Sequence, residues 1–382
     1  MKSAFISMLL SLFIFSCETR GSNTISDQLT PQDVKHVVEK VIGWQMKEFP
    51  NMNNYRKWKN TSNSWVNASF LYGLAEWNDL YPNDTIQHFY EEMAKDLNYT
   101  LPNKFSVYHA DEVAICMLYA KIYEKYKDDY ILQHTMERLE YVAQTQTSED
   151  FSRPNPIRAK CWSWCDALYM APPIYATIGR MLNKPHLIEF MDREFWATYN
   201  YLYDKEEHLF YRDDSYFNKK EKNGKKVFWG RGNGWVIGGL VQIISSLPDD
   251  FQHKDKYIQL FVEMMTRLSG LQDENGYWHA SLLDPASYPS PETSSTGFLA
   301  YGLWWGINQG YLDKSVFLAS AKKSWSALVA AVHENGMLGW VQPVGQDPTN
   351  VTKDMTEVYG SGAFILTGLE VVQFLDAQKN RH

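Results

Sequence analysis

Six times along this chain a short cluster of small, polar and aromatic residues runs straight into a long apolar segment. The clusters are Trp65-Val66-Asn67-Ala68-Ser69-Phe70, His109-Ala110-Asp111-Glu112-Val113, Trp164-Cys165-Asp166-Ala167-Leu168, Gly232-Asn233-Gly234-Trp235, Glu292-Thr293-Ser294-Ser295-Thr296-Gly297 and Glu357-Val358-Tyr359-Gly360-Ser361-Gly362. They recur every ~45 to 70 residues, a supersecondary-scale period, and a more polar helical segment precedes each. A helix apolar nearly all round is a buried one, whereas an amphipathic helix has one face for the core and one for water. Six buried helices with polar starts imply a ring of inner helices whose N-terminal ends converge on one pocket.

Hydrophobic periodicity gives twelve helices in alternation. The outer, amphipathic set is Asp33–Phe49, Asp84–Leu97, Tyr130–Thr145, Pro185–Tyr203, Lys256–Leu271 and Ser315–Val332. The inner set is Trp65–Trp77, Asp111–Tyr126, Asp166–Met181, Trp235–Leu247, Thr296–Asn308 and Gly362–Leu375. Strand signals are scarce, and the alternation at Lys225–Trp229 reads as loop decoration. The expected fold is all-α, an (α/α)6 toroid of six hairpins. A helical solenoid also stacks hairpins, but it would spread its polar residues along an open face. Here they gather where buried helices begin.

The N-terminus reads as a targeting segment. Lys2 gives a positive start, and Ala4 to Phe15 form an apolar run too short to span a membrane as a mature helix. Ile14-Phe15-Ser16-Cys17 then resembles a bacterial lipoprotein box with Cys17 as the lipidated residue. The expected organisation is a signal peptide at 1–16, a polar tether at 17–30 and a single catalytic domain at 31–382. The expected location is the bacterial cell envelope, periplasmic or on the outer-membrane surface, with a lipid anchor as the only membrane contact. A net charge of -8 argues against nucleic acid as a partner. Among the other cysteines, Cys116, Cys161 and Cys165 lack zinc-site spacing and His companions, which suggests buried thiols with a disulfide as an alternative. No cofactor or metal is expected.

Three constellations could carry chemistry. Asp166 enters a helix so apolar that its carboxylate belongs at the N-terminal end, where it caps the backbone or donates a proton. Trp162 and Trp164 would wall it in and push its pKa upward. Asp111, after His109 and before Glu112, has the same placement, and capping and catalysis are both open for it. In Phe228-Trp229-Gly230-Arg231-Gly232-Asn233-Gly234-Trp235, Arg231 sits in a Gly-rich turn expected to lie outside the core. It could hold a carboxylate bidentately, pair with a loop acid or stack on Trp229 or Trp235. His208, Tyr211 and Arg212 lie in the polar loop before it. Aromatic residues make up 15% of the chain, high for an ordinary core, which suits a pocket that stacks flat apolar faces of a ligand.

At Trp164-Cys165-Asp166-Ala167-Leu168-Tyr169-Met170, Trp229-Gly230-Arg231-Gly232-Asn233-Gly234-Trp235 and Glu292-Thr293-Ser294-Ser295-Thr296-Gly297, followed by Ala300-Tyr301-Gly302-Leu303 and Trp305-Gly306-Ile307-Asn308, the chain resembles glycoside hydrolase family 105. Those are unsaturated rhamnogalacturonyl hydrolases and related unsaturated uronyl hydrolases. The likeness runs from about Pro31 to the C-terminus and implies the same (α/α)6 toroid. It implies an oligosaccharide substrate with a 4,5-unsaturated uronic acid at its non-reducing end, cleaved by hydration of the vinyl ether. Asp166 would match the general acid/base and Asp111 the second aspartate. Arg231 and Trp235 would match sugar-binding positions, and Trp65 and Trp164 aromatic subsites. Where members of that family carry a His after Leu-Phe-Tyr, this chain has Arg212 after Leu209-Phe210-Tyr211, a cation suited to an acidic or sulfated neighbour. A surface glycan-binding lipoprotein would need aromatic platforms but no buried carboxylates, and a helical-toroid epimerase would need paired His residues.

Overall fold

The computed structural model describes residues 29–55, 61–146, 151 and 162–379. The expected signal peptide, Cys17, nearly all of the expected tether and Cys161 lie outside them. The helices are α1 (Pro31–Tyr55), α2 (Trp65–Leu80), α3 (Asp84–Asp96), α4 (Cys116–Tyr126), α5 (Gln133–Thr145), α6 (Ala167–Met170), α7 (Pro172–Met181), α8 (Pro185–Leu202), α9 (Gly230–Ser246), α10 (Lys254–Ser269), α11 (Thr293–Asn308), α12 (Lys314–Ala330) and α13 (Val358–Lys379). A single short antiparallel hairpin, β1 (Tyr203–Asp204) with β2 (Leu209–Phe210), is the only sheet among the described residues.

Packing closes the inner helices into a ring. Helix α2 packs on α4, α4 on α7, α6 and α7 on α9, α9 on α11, α11 on α13, and α13 returns to α2. Around them α1 packs on α13, α3 on α2, α8 on α7, α10 on α9 and α12 on α11. The chain is therefore an α/α toroid, and the solenoid is excluded by the contact between its two ends. Helix α13 is long and apolar enough to cross a membrane, yet 89% of its most apolar window is buried inside the ring. Burial on all sides accounts for that composition.

Local chemistry sets the helix ends. Asn83 caps α3 by accepting from the backbone N–H of Thr85 (2.9 Å) and Ile86 (3.2 Å). The segment expected to form one helix over Asp166–Met181 is broken at Ala171. Pro172 and Pro173 follow, and proline removes the N–H that would continue the ladder. Helix α4 starts later than expected, after a separate 3-10 turn at Ala110–Val113. Helix α9 starts earlier, so the Gly-rich segment at 230–234 is its first turn. Two of its glycines serve packing. A Cβ on Gly239 would stand 2.2 Å from the Leu168 carbonyl oxygen, and one on Gly232 would stand 3.0 Å from Cys165 Sγ. Their absence lets α9 press directly onto α6.

The two ends of the ring differ. Inner helices pass to the next outer helix through short connections at 81–83, 127–132, 182–184, 247–253 and 309–313. Outer helices return to inner ones through long loops such as 97–115, 203–229, 270–292 and 331–357. These long loops rim the end where the inner helices begin.

Candidate active site

The mouth contains two clusters, joined across a cleft of about 350 Å³ lined by Trp65, Thr100, Lys104, Phe105, Asp111 and Glu112 among others. The first is built from the starts of α4 and α6. Asp166 stands at the N-terminal position of α6, but its side chain accepts no capping bond. Asp111 sits inside the 3-10 turn, whose N-cap is His109; the His109 Nδ1 accepts from the Asp111 backbone N–H at 3.3 Å. So capping by the carboxylate, the structural alternative for both residues, is realised in neither. The Asp166 carboxylate accepts instead from the Cys165 thiol, Sγ to Oδ1 at 3.3 Å. That thiol is buried and pushed well up by burial and then by Asp166, so it stays a donor.

It is Asp111 that is pushed up strongly, to about 8, first by burial, then by the Asp166 carboxylate and by Glu112. The cations Arg212 and Lys104 offset this only in part. Burial and the neighbouring carboxylates thus keep the Asp111 carboxyl protonated near neutral pH. Arg212 stands beside them: burial works against its charge, but the Asp166 and Asp213 carboxylates outweigh it. Its Nη1 donates to Asp213 Oδ2 at 2.5 Å, while its buried Nε has no partner. The His109 ring lies between Phe105 (4.3 Å) and Trp164 (4.5 Å), and packs the two turns together.

The second cluster joins the starts of α2, α9 and α13. Trp65 stacks on Tyr359 at 6.0 Å with an interplanar angle of 10°, and meets Trp235 edge-on at 6.4 Å. Trp235 is fully buried against Tyr169 and Phe298. Arg231, 1% exposed, lies between the Trp229 ring (4.5 Å) and the Tyr359 ring (4.8 Å).

Comparison with known proteins decides the family. The sequence profile of Glycosyl Hydrolase Family 88 matches residues 37–375. An unsaturated 3S-rhamnoglycuronyl hydrolase of Alteromonas sp. (strain LOR) is 33% identical over 97% of this chain and 98% of its own length. One of the same name from Formosa agariphila is 38% identical over 70% of this chain and 74% of its own length. A solved structure described as a polysaccharide lyase superposes with a TM-score of 0.82, 28% identical, over 91% of this chain and 98% of that one. This chain belongs to Glycosyl Hydrolase Family 88. It is a glycoside hydrolase that acts on unsaturated uronyl oligosaccharides, and the resemblance to unsaturated uronyl hydrolases read from its motifs holds.

Within this family 88 fold, the placement of Arg231 corrects one expectation. Arg231 does not lie in a loop outside the core; it occupies the first turn of α9. Its Nη1 donates to the Gln342 carbonyl (2.5 Å) and its Nη2 to the Pro343 carbonyl (3.0 Å). With both faces of its guanidinium covered as well, Arg231 supports the loop 342–347, and the cation beside the carboxyl pair is Arg212. Trp229 shares that task, donating from Nε1 to Gln342 Oε1 at 3.0 Å. His208 and Tyr211 have structural partners, Glu263 and Asp204. Cys116 and Cys165 are free and buried.

Three residues of the site escaped sequence reasoning. Tyr359 stacks on Trp65 and donates to the Gln342 carbonyl at 2.5 Å. Glu292, buried, accepts from the Ser294 and Ser295 backbone N–H groups and from Gln342 N–H at 3.0 Å, which ties the start of α11 to the mouth loop. Cys165 reaches Asp166. All three fell inside recognised clusters, and their position after a polar loop and before an apolar run was the available signal.

Proposed function

We propose that this enzyme removes the unsaturated uronic acid from a sulfated rhamnose, with Asp166 and Asp111 as its acid/base pair. The observation that carries the mechanism is the pair itself: a buried Asp166 and a largely buried, cleft-lining Asp111 that interact at converging helix starts, neither carboxylate engaged in capping. Asp166 delivers a proton to C4 of the vinyl ether, and the resulting carboxylate takes a proton from the water that adds at C5. Addition of water is complete, the proton balance closes, and the hemiketal opens to expel the shortened saccharide. Asp111, itself protonated at rest, bonds the sugar hydroxyls in this reading. Arg212, with an unpartnered Nε, supplies positive charge for an anionic substituent. Trp65 offers an apolar face at the cleft. The relatives' shared name supports the choice of sugar.

The test is incubation with lyase-generated oligosaccharides that differ in the sugar beyond the bond, followed by absorbance of the conjugated double bond. Hydration makes absorbance fall, and the fall should be fastest with sulfated rhamnose in that position. Elimination, the reaction that the lyase-described neighbour brings to mind, would make it rise on saturated polymer. No fall on any unsaturated substrate would reject the reading.

We propose also that the mature protein is lipidated at Cys17 and held in the cell envelope by that anchor, with residues 31–382 as one catalytic domain. The apolar run before Ser16-Cys17 supports this. A labelled fatty acid should mark the wild type and not Cys17→Ala; equal labelling of both would rule it out.

A further inference from the structure

The loop 203–229 contains the densest positive charge in this acidic chain. Residues 218–226 read Asn-Lys-Lys-Glu-Lys-Asn-Gly-Lys-Lys, five lysines and one glutamate in a protein of net charge -8. They form a small turn: Lys220 and Lys226 bridge as antiparallel partners, the Glu221 N–H donates to the Lys225 carbonyl at 2.8 Å, and Gly224 takes the positive φ of 80° that the reversal needs. The turn is anchored rather than loose. Asn223 Nδ2 donates to the Leu283 carbonyl at 2.8 Å, and Ser281 Oγ donates to Glu221 Oε1 at 2.5 Å. Its base is fixed by Tyr216, whose hydroxyl donates to the Gln346 carbonyl at 2.8 Å in the mouth loop that Arg231 supports.

The charges are sorted. The single acid, Glu221, faces inward onto Ser281. Lys226 is paired with Asp204 (2.8 Å) and Glu206 (2.7 Å), and Lys219 lies over the Tyr216 ring with Asp347 at 4.0 Å. Lys220, Lys222 and Lys225 are exposed and have no ion-pair partner among the described residues. The loop belongs to the long-loop end of the ring, and Arg212, beside the carboxyl pair, lies in the same loop. Three unpaired ammonium groups on an anchored turn at the mouth form a surface that attracts a polyanion approaching that mouth.

We propose that this turn is a secondary binding surface for the anionic sugar chain beyond the cleaved bond, contacted by Lys220, Lys222 and Lys225. The proposal rests on the reading of an anionic oligosaccharide as substrate. On this proposal a disaccharide is too short to meet the turn, whereas a longer chain with repeating sulfate or uronate groups would meet it. The enzyme therefore favours longer fragments through KM, and salt erases the preference by screening exposed charges.

The experiment compares Lys220→Gln/Lys222→Gln/Lys225→Gln with the wild type on an unsaturated disaccharide and on a hexasaccharide of the same repeat. For three exposed charge contacts the expected loss in kcat/KM on the hexasaccharide is about fivefold to thirtyfold, nearly all in KM. The disaccharide rate should stay unchanged, and in 0.5 M salt the two proteins should converge. Equal losses on both substrates, or none on the hexasaccharide, would overturn the proposal. Wild-type inactivity on both would instead overturn the substrate reading. If the triple variant fails to melt cooperatively, Lys222→Glu alone carries the same comparison.

Discussion

Replacing Asp111 by Asn should make the protein more stable at neutral pH while removing its activity. Asp111 has a folded value of about 8 against an ordinary 3.8. Below pH 3.8 both states are protonated and the group contributes nothing. As pH rises the unfolded chain releases this proton and the folded chain keeps it, so the folded state binds more protons and stability falls. The fall runs from about pH 4 until Asp111 ionises near 8, then levels off. At about 1.4 kcal/mol per pH unit, the cost at pH 7 is about 4 kcal/mol. Asn is a neutral isostere of the protonated acid, so it keeps the packing and removes this cost. For a chain of this length such a gain corresponds to a rise in Tm of about 5 °C. Urea denaturation of wild type and Asp111→Asn at pH 5, 7 and 9 reads it directly. The two should converge near pH 5 relative to pH 7, where the variant is ahead. Parallel stability profiles across that range would show that Asp111 is not the group holding the proton.

Asp166→Asn should lower kcat by a factor of about 10² to 10⁴, with Tm within a few degrees of wild type, because the side chain caps nothing; retention of most activity would move the acid role to Asp111. Arg231→Ala should destabilise by about 3 kcal/mol in urea, since the buried Gln342 carbonyl loses a charged donor, the bond to Pro343 goes with it, and the stack between Trp229 and Tyr359 empties. A variant as stable as wild type but poor in KM would restore Arg231 as a substrate anchor. Gly239→Ala should cost at least ~2 kcal/mol and lower activity with it, because the new Cβ meets backbone of α6, which cannot rotate away. A well-folded, fully active Gly239→Ala would show that α9 need not press on α6.

The ring was legible because alternating amphipathic and all-apolar segments have one economical closure, and because Asp166 and Asp111 are carboxylates where an apolar helix begins. What local pattern does not contain is partnership over distance. Arg231 reads as a ligand-holding residue in a glycine turn, and only its bonds to carbonyls 111 and 112 residues later reveal it as a support. The same glycines that signal a flexible turn serve here as flat contact surfaces inside a helix, a distinction that needs the neighbour to be known. The proton on Asp111 was equally hidden. The push on it comes from burial and from the Asp166 carboxylate, surroundings that only the fold supplies.

The contact of α13 with α2 joins residues near the two ends of the chain. Closing that ring brings together residues such as Ser69 and Tyr359, 290 apart in sequence, and the loop-closure entropy of that contact grows with the logarithm of the separation. During synthesis the five earlier hairpins wait with the apolar faces of α2 and α11 open, because the helix that fills the gap is made last. Trp65 acquires its Tyr359 partner, and the mouth its full aromatic wall, only after the final helix has left the ribosome. A chain cut short before residue 358 would lack Tyr359 and the helix that joins α2 to α11, leaving an open groove beside Trp65, and should therefore be inactive rather than merely weakened.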